Sequence, residues 1–199
     1  MTRSSIPAGL GALALVAVAV PAGVSFAGTE RPAAESRPAT TQADSAAAET
    51  PKVPPALAPP PGHVVHAVLK ARGVQVYGCQ SGAWALIEPA ASLTGVTVRP
   101  VKRTTALHFR GPSWQSDQDG SLVEGNREGV LQVPSDNPDS IPQLRIAAKT
   151  TRGDGVFGKV TYIQRLDTVG GVAPRKACTG SATTAVPYRA VYRFFVAKG

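Results

Sequence analysis

From Gly73 onward, apolar side chains recur mainly at every second position, the spacing of strands with one buried face. In Gly73–Cys79, Val74 and Val76 share one face while Gln75 and Tyr77 share the other. A turn signal at Ser81-Gly82 precedes a second run, AWALIEP, and the stretches TALHFRGP and GSLVEG are ended by Gly or Pro. In PQLRIAAK, Leu144, Ile146 and Ala148 alternate with polar neighbours, and KVTYIQRL is rich in β-branched and aromatic residues. The last run, AVPYRAVYRFFV, sets Val186, Tyr188, Ala190, Tyr192, Phe194 and Val196 on one face, with Arg189 and Arg193 on the other. Roughly seven short strands punctuated by Gly and Pro predict a mainly β fold, an antiparallel β-sandwich or barrel. One segment departs from the alternation. GHVVHAVLKARG places Val64, Val65, Val68 and Leu69 along a helical stripe, which predicts one short N-terminal helix ending before Gly73.

The pattern changes character towards the N-terminus. Arg3, then the uncharged run Leu10–Val20, then Ser25 and Ala27 at small-residue positions, read as a secretory signal peptide over residues 1–27. The apolar run is about 11 residues, short of the ~20 that a membrane span requires. No second apolar run follows it, so no transmembrane segment is expected. Residues 28–60 are Ala, Pro, Thr, Ser and Glu with hardly any large apolar side chain, and are expected to form a disordered linker. Residues 61–199 are then one β-rich domain, large enough for a proper core.

Two cysteines, Cys79 and Cys178, fall within that domain. In an exported chain an even pair reads as a disulfide, and two cysteines allow one intramolecular connectivity. Neither has a second cysteine nearby, so metal and redox motifs are not indicated. Within residues 61–199, 17 Lys and Arg oppose 9 Asp and Glu, so the chain's positive charge belongs to the folded part. For a secreted or wall-associated protein this suggests an anionic cell-wall or polysaccharide surface as partner. Nucleic acid is not indicated, because no basic-aromatic or helix-turn-helix pattern is present. The chain leaves its oligomeric state open.

Gly153, Gly155 and Gly158 have the G-x-G-x-x-G spacing of a dinucleotide turn. That site needs a helix after the glycines, whose first amides hold the pyrophosphate, and an acidic residue about 20 positions on. Here KVTYIQRL follows, with strand composition, and GGVAPRKAC occupies the acidic position. The glycines therefore read as a hairpin turned at Asp154-Gly155, and no cofactor is expected.

Reactive side chains are densest in HFRGPSWQSDQDGS, residues 108–121. His108, Arg110, Trp114, Asp117 and Asp119 form a candidate binding loop, with Trp114 as a stacking platform and the others as polar contacts. Gln164, Arg165 and Asp167 close an otherwise apolar strand, and Arg165 suits a carboxylate gripped by two N–H groups. An alternative is a small extracellular hydrolase acting on carbohydrate or ester, with Asp119 and His108 or Glu124 as its acid and base. The chain has no G-x-S-x-G elbow to supply a nucleophile. His63, His66 and His108 would be the residues of a zinc site, but no H-E-x-x-H motif is present and no metal is expected.

Taken together, GVQVYGCQ, AWALIEPAASL, HFRGPSWQSDQDGSLVEG, IPQLRIAAK, VTYIQRLDTVGGVAP and VPYRAVYRFF resemble the exported bacterial and fungal proteins grouped as domain of unknown function 3455. The resemblance runs from about Val53 to Val196, essentially the folded part. It implies a secreted β-rich domain and brings no catalytic residues with it. The chain departs from that pattern at Gln143, where similar proteins tend to carry an aromatic residue, and in GVTVRPVKRTTALHF.

Overall fold

A computed structural model describes residues 52–199. The expected signal peptide and residues 28–51 of the expected linker lie outside the described residues. Nine strands follow a 3-10 turn at Pro55–Leu57: β1 (His63–Gln80), β2 (Ala83–Val98), β3 (Val101–Phe109), β4 (Ser113–Ser116), β5 (Leu122–Gly125), β6 (Leu131–Val133), β7 (Gln143–Arg152), β8 (Val160–Gly170) and β9 (Thr183–Ala197). All pair antiparallel in a single sheet, in the order β5-β4-β3-β2-β1-β9-β8-β7-β6. A further pairing of β5 with β7, Gly125 against Ala148 through Leu122 against Arg152, bends the sheet into a nearly closed ring. Closure covers the edges that an open sheet would present to other chains. Of the sandwich and barrel predicted from the strand pattern, the ring is the barrel-like one.

The expected N-terminal helix does not form, because its residues are the first half of β1. Ala67, Leu69 and Ala71 are buried while Val68 and Lys70 between them are not, a period of two. Valines at i, i+1 and i+4 satisfy a helical stripe, yet the same β-branched residues suit a strand. Pairing decides the outcome: β1 is bonded along most of its length to β2 on one side and β9 on the other.

Inside the ring, Ala91 and Leu93 of β2, Ala106 of β3, Val123 of β5, Ile146 of β7, Ile163 of β8 and Phe194 of β9 form the core. Tyr188, Ala190 and Tyr192 join it, so β9 buries the face that its alternation marks. Cys79 and Cys178 form the expected disulfide, which fastens the β8–β9 connection to the end of β1 across 99 residues of sequence.

Part of the outer face is also covered. Gln164 and Leu166 of β8 lie on the side opposite Ile163 and Arg165, yet both are fully buried. The 3-10 turn lies against Gln164, whose Nε2 donates to Leu57 O at 2.6 Å, and Arg145 Nη1 donates to Ala58 O. Leu57, within the segment expected to be linker, is itself fully buried. The packed chain thus begins ahead of Pro61.

Candidate functional site

The two ends of the ring are built differently. One is plugged by the β7–β8 loop, whose Phe157 is fully buried. Gly153 takes the left-handed conformation at φ 76°, and a side chain at Gly158 would collide with the Gly153 carbonyl. The three glycines therefore serve a strand-to-strand bend, with the positive φ at Gly153 instead of the expected Gly155. Asp119, in the β4–β5 turn, fastens this loop. Its carboxylate accepts from the Val156 amide at 3.0 Å and from the amide and hydroxyl of Ser121, and Ser121 Oγ accepts from the Phe157 amide at 2.9 Å. Burial pushes the Asp119 carboxyl up, but the hydrogen bonds from Ser121, Val156 and Ser116 outweigh it and hold the group below the usual carboxylate range.

From Phe157 a column of rings runs along the interior. Phe157 packs on Phe194 with centroids 4.7 Å apart, and Phe194 on Trp114 at 6.0 Å. Trp114 meets Tyr192 edge-on at 5.6 Å and stacks on His108 at 4.4 Å, with planes 3° from parallel. Register explains the stack: His108 of β3 and Trp114 of β4 are direct cross-strand partners on the inward face.

Beyond the column, towards the other end, lies a cavity of about 400 Å³. Ile87, Val130, Leu144 and Ile146 give it apolar walls, and His108, Trp114 and Tyr192 contribute aromatic surface. Its volume falls within the usual range for small-molecule sites, roughly 300–1,000 Å³. Among the described residues its charged lining is Arg110, Arg127, Arg165 and Glu88, and Glu88 is paired with Arg110 at 3.3 Å.

The polar groups at the cavity are unevenly satisfied. Arg165 donates through Nε and Nη2 to Pro142 O, at 3.2 and 2.9 Å. It lines the cavity with Tyr77, His108 and Tyr192, and bonds the Tyr192 hydroxyl. His108 Nδ1–H donates to Ser113 O at 2.9 Å, leaving Nε2 with a bare lone pair. Burial lowers the His108 pKa to about 3, the Ser113 carbonyl opposes the shift and Arg165 adds to it, so the ring is neutral at pH 7. Tyr188 and Tyr192, with hydroxyls 3.5 Å apart, are raised by burial and stay protonated. Two donors are left over. Gln75 and Trp114 line the cavity, and their donors, Gln75 Nε2 and Trp114 Nε1, are buried with no hydrogen-bond partner.

Of the candidate residues, the ring brings His108, Arg110, Trp114 and Arg165 to this one cavity. Asp117 and Asp119 are exposed in the β4–β5 turn, and neither lines it. Glu124 is engaged by Lys149 at 3.1 Å, and Gln164 lies on the outer face beneath the 3-10 turn. Trp114 is 2% exposed, so its ring is not presented at the outer surface. His63 bonds Pro60 O and packs edge-on to Tyr162, away from His108. Among the described residues no three His, Cys, Asp or Glu side chains gather as a metal-holding group. No described helix is long and apolar enough to cross a membrane.

Gln75, Tyr77 and Tyr192 were not anticipated as site residues. Their signal is the alternation in GVQVYGC: the Gln75 and Tyr77 face turns inward, at 2% and 8% exposure, and the Val74 and Val76 face does not. A glutamine on the buried face of a strand marks a place where the interior is not hydrocarbon.

The family model described as protein of unknown function (DUF3455) matches residues 59–196. The matched span covers all nine strands almost to the end of β9. No curated protein and no solved structure matches the chain.

Proposed function

We propose that this chain, which belongs to the DUF3455 family of proteins of unknown function, is a secreted binding module that holds a small organic molecule inside its β-ring. The observation that carries the reading is a cavity of about 400 Å³ whose lining includes Gln75 and Trp114, two residues with buried, unpartnered donors at Nε2 and Nε1. A buried donor without a partner is costly, and folded proteins leave few of them. Residues with spare donors in the lining of a ligand-sized cavity are suited to an incoming acceptor. Rings of eight or so strands commonly enclose room for one small ligand.

Export is supported by the N-terminal signal pattern and by the disulfide between Cys79 and Cys178. Binding is favoured over hydrolysis by the state of the polar groups. His108 is neutral with a pKa of about 3, far below the value suited to a general base at neutral pH. The Asp119 carboxylate is engaged by the loop that plugs the opposite end.

Titration with a neutral fluorescent probe, N-phenyl-1-naphthylamine, tests this reading. One equivalent binds, and V130W, which places an indole at the half-buried cavity wall, abolishes binding while the thermal transition stays cooperative. Failure of the probe to bind, or undiminished binding to V130W, overturns it.

A further inference from the structure

We infer that the cavity selects a small amphipathic carboxylate, with the carboxylate on Arg165 beside the Gln75 and Trp114 donors, and the apolar part against Ile87, Leu144 and Ile146. The inference rests on the interior-binding reading and adds the chemical class of the ligand.

Three features of the lining support it. The first is charge. Arg110, Arg127 and Arg165 face the cavity against one carboxylate, Glu88, which Arg110 already engages. Arg165 shares the cavity lining with the rings of Tyr77, His108, Trp114 and Tyr192. Charge–charge attraction strengthens where water is displaced, so a cation in this setting favours an anion strongly.

The second is hydrogen-bond polarity. Two of the Arg165 N–H groups are spent on Pro142 O, and the guanidinium also bonds the Tyr192 hydroxyl. A guanidinium carries five donors in a planar fork matched to a carboxylate. Gln75 Nε2 and Trp114 Nε1 add two more donors with no partner in the protein. Donors are in excess, and an ionised carboxylate is an acceptor-only group with about four lone-pair sites. A cationic ligand would meet Arg165 with no free carboxylate to offset it.

The third is the remainder of the wall. Ile87, Val130, Leu144 and Ile146 offer hydrocarbon and no hydrogen bonds, which suits an alkyl or aryl body better than a polyol.

Octanoate and octanol, equal in chain length and differing in the head group, provide the test. In W84F the only indole left is Trp114, because Trp84 is the other tryptophan of the chain. Octanoate is expected to shift the Trp114 indole N–H resonance downfield and to bind at least tenfold tighter than octanol. R165M should lower octanoate affinity at least tenfold and leave octanol unchanged, and R165K should retain part of the preference. Should R165M unfold for want of its bonds to Pro142, Q75M serves instead. Q75M removes an unpartnered donor, keeps its stability and weakens octanoate several-fold. Equal affinity for octanoate and octanol overturns the carboxylate assignment. So does octanoate binding that neither R165M nor Q75M weakens. Binding of the neutral naphthylamine probe without octanoate binding overturns the assignment alone, whereas failure of both probes overturns interior binding itself.

Discussion

His108 lies flat on Trp114, with ring centroids 4.4 Å apart, and its one N–H is committed to the Ser113 carbonyl. The stack is possible because the two residues are cross-strand partners on β3 and β4. Burial keeps the imidazole neutral, and the Arg165 charge works in the same direction.

Stability should therefore fall on mild acidification. The folded pKa of His108 is about 3 against an ordinary 6.5, so the unfolded chain takes up the proton first. The contribution is complete above pH 6.5 and is lost as pH falls towards 3, at up to ~1.4 kcal/mol per pH unit. Between pH 7 and pH 5, urea unfolding should show a loss of about 2 kcal/mol. H108F should lack that component, and a pH dependence equal to the wild type would contradict the assignment.

Asp119 and Ser121 should act as a unit. Both hold the β7–β8 loop, and the Ser121 hydroxyl links the carboxylate to the Phe157 amide. D119A and S121A should each cost about 1–2 kcal/mol in thermal or urea unfolding. The double variant should cost less than the sum, since the second change removes a bond that the first has already broken. Strict additivity would show that the two hold the loop separately.

The 3-10 turn predicts where a truncated chain stops being stable. A chain beginning at Lys52 keeps Leu57 on the outer wall, whereas one beginning at Pro61 uncovers Gln164. L57A should cost about 2–5 kcal/mol, the usual range for a fully buried leucine. Start-site variants compared by thermal melting would check both statements.

The disulfide closes a 99-residue separation. In the chain-entropy account, replacing both cysteines by alanine should cost about 4–5 kcal/mol, and less if the unfolded chain is compact. Labelling of the oxidised protein under denaturing conditions should find no free thiol.

What could be read in advance divides along physical lines. β9 was legible because Tyr188, Ala190, Tyr192 and Phe194 fall at every second position with Arg189 and Arg193 between them, which is a strand's own period. The first half of β1 was not, because Val64, Val65 and Val68 fit two periods and only their pairing with β2 and β9 selects one. Arg110, Trp114 and Arg165 stood out as chemistry-bearing residues, but their convergence depends on ring closure between β5 and β7, which no local pattern encodes. Gln75 escaped notice because an isolated glutamine between valines looks like a solvent-facing residue. Gln143 is a related case: it is buried, and its side-chain oxygen accepts from the Asp167 amide at 3.2 Å.

Closure of the ring is uneven, and that gives the wall a hinge line. β1 pairs with β2 and β9 over almost its whole length, whereas β4 and β5 are 4 residues each and meet through three pairs. Segments with few backbone bonds exchange their amides by local opening at lower free energy than the rest. Amides of β4 and β5 should therefore exchange ahead of those in β1 and β9. Because β4 carries Trp114, the wall that opens most readily is also a wall of the cavity, and the rate at which the interior exchanges its contents would be set at that seam rather than by the long strands opposite.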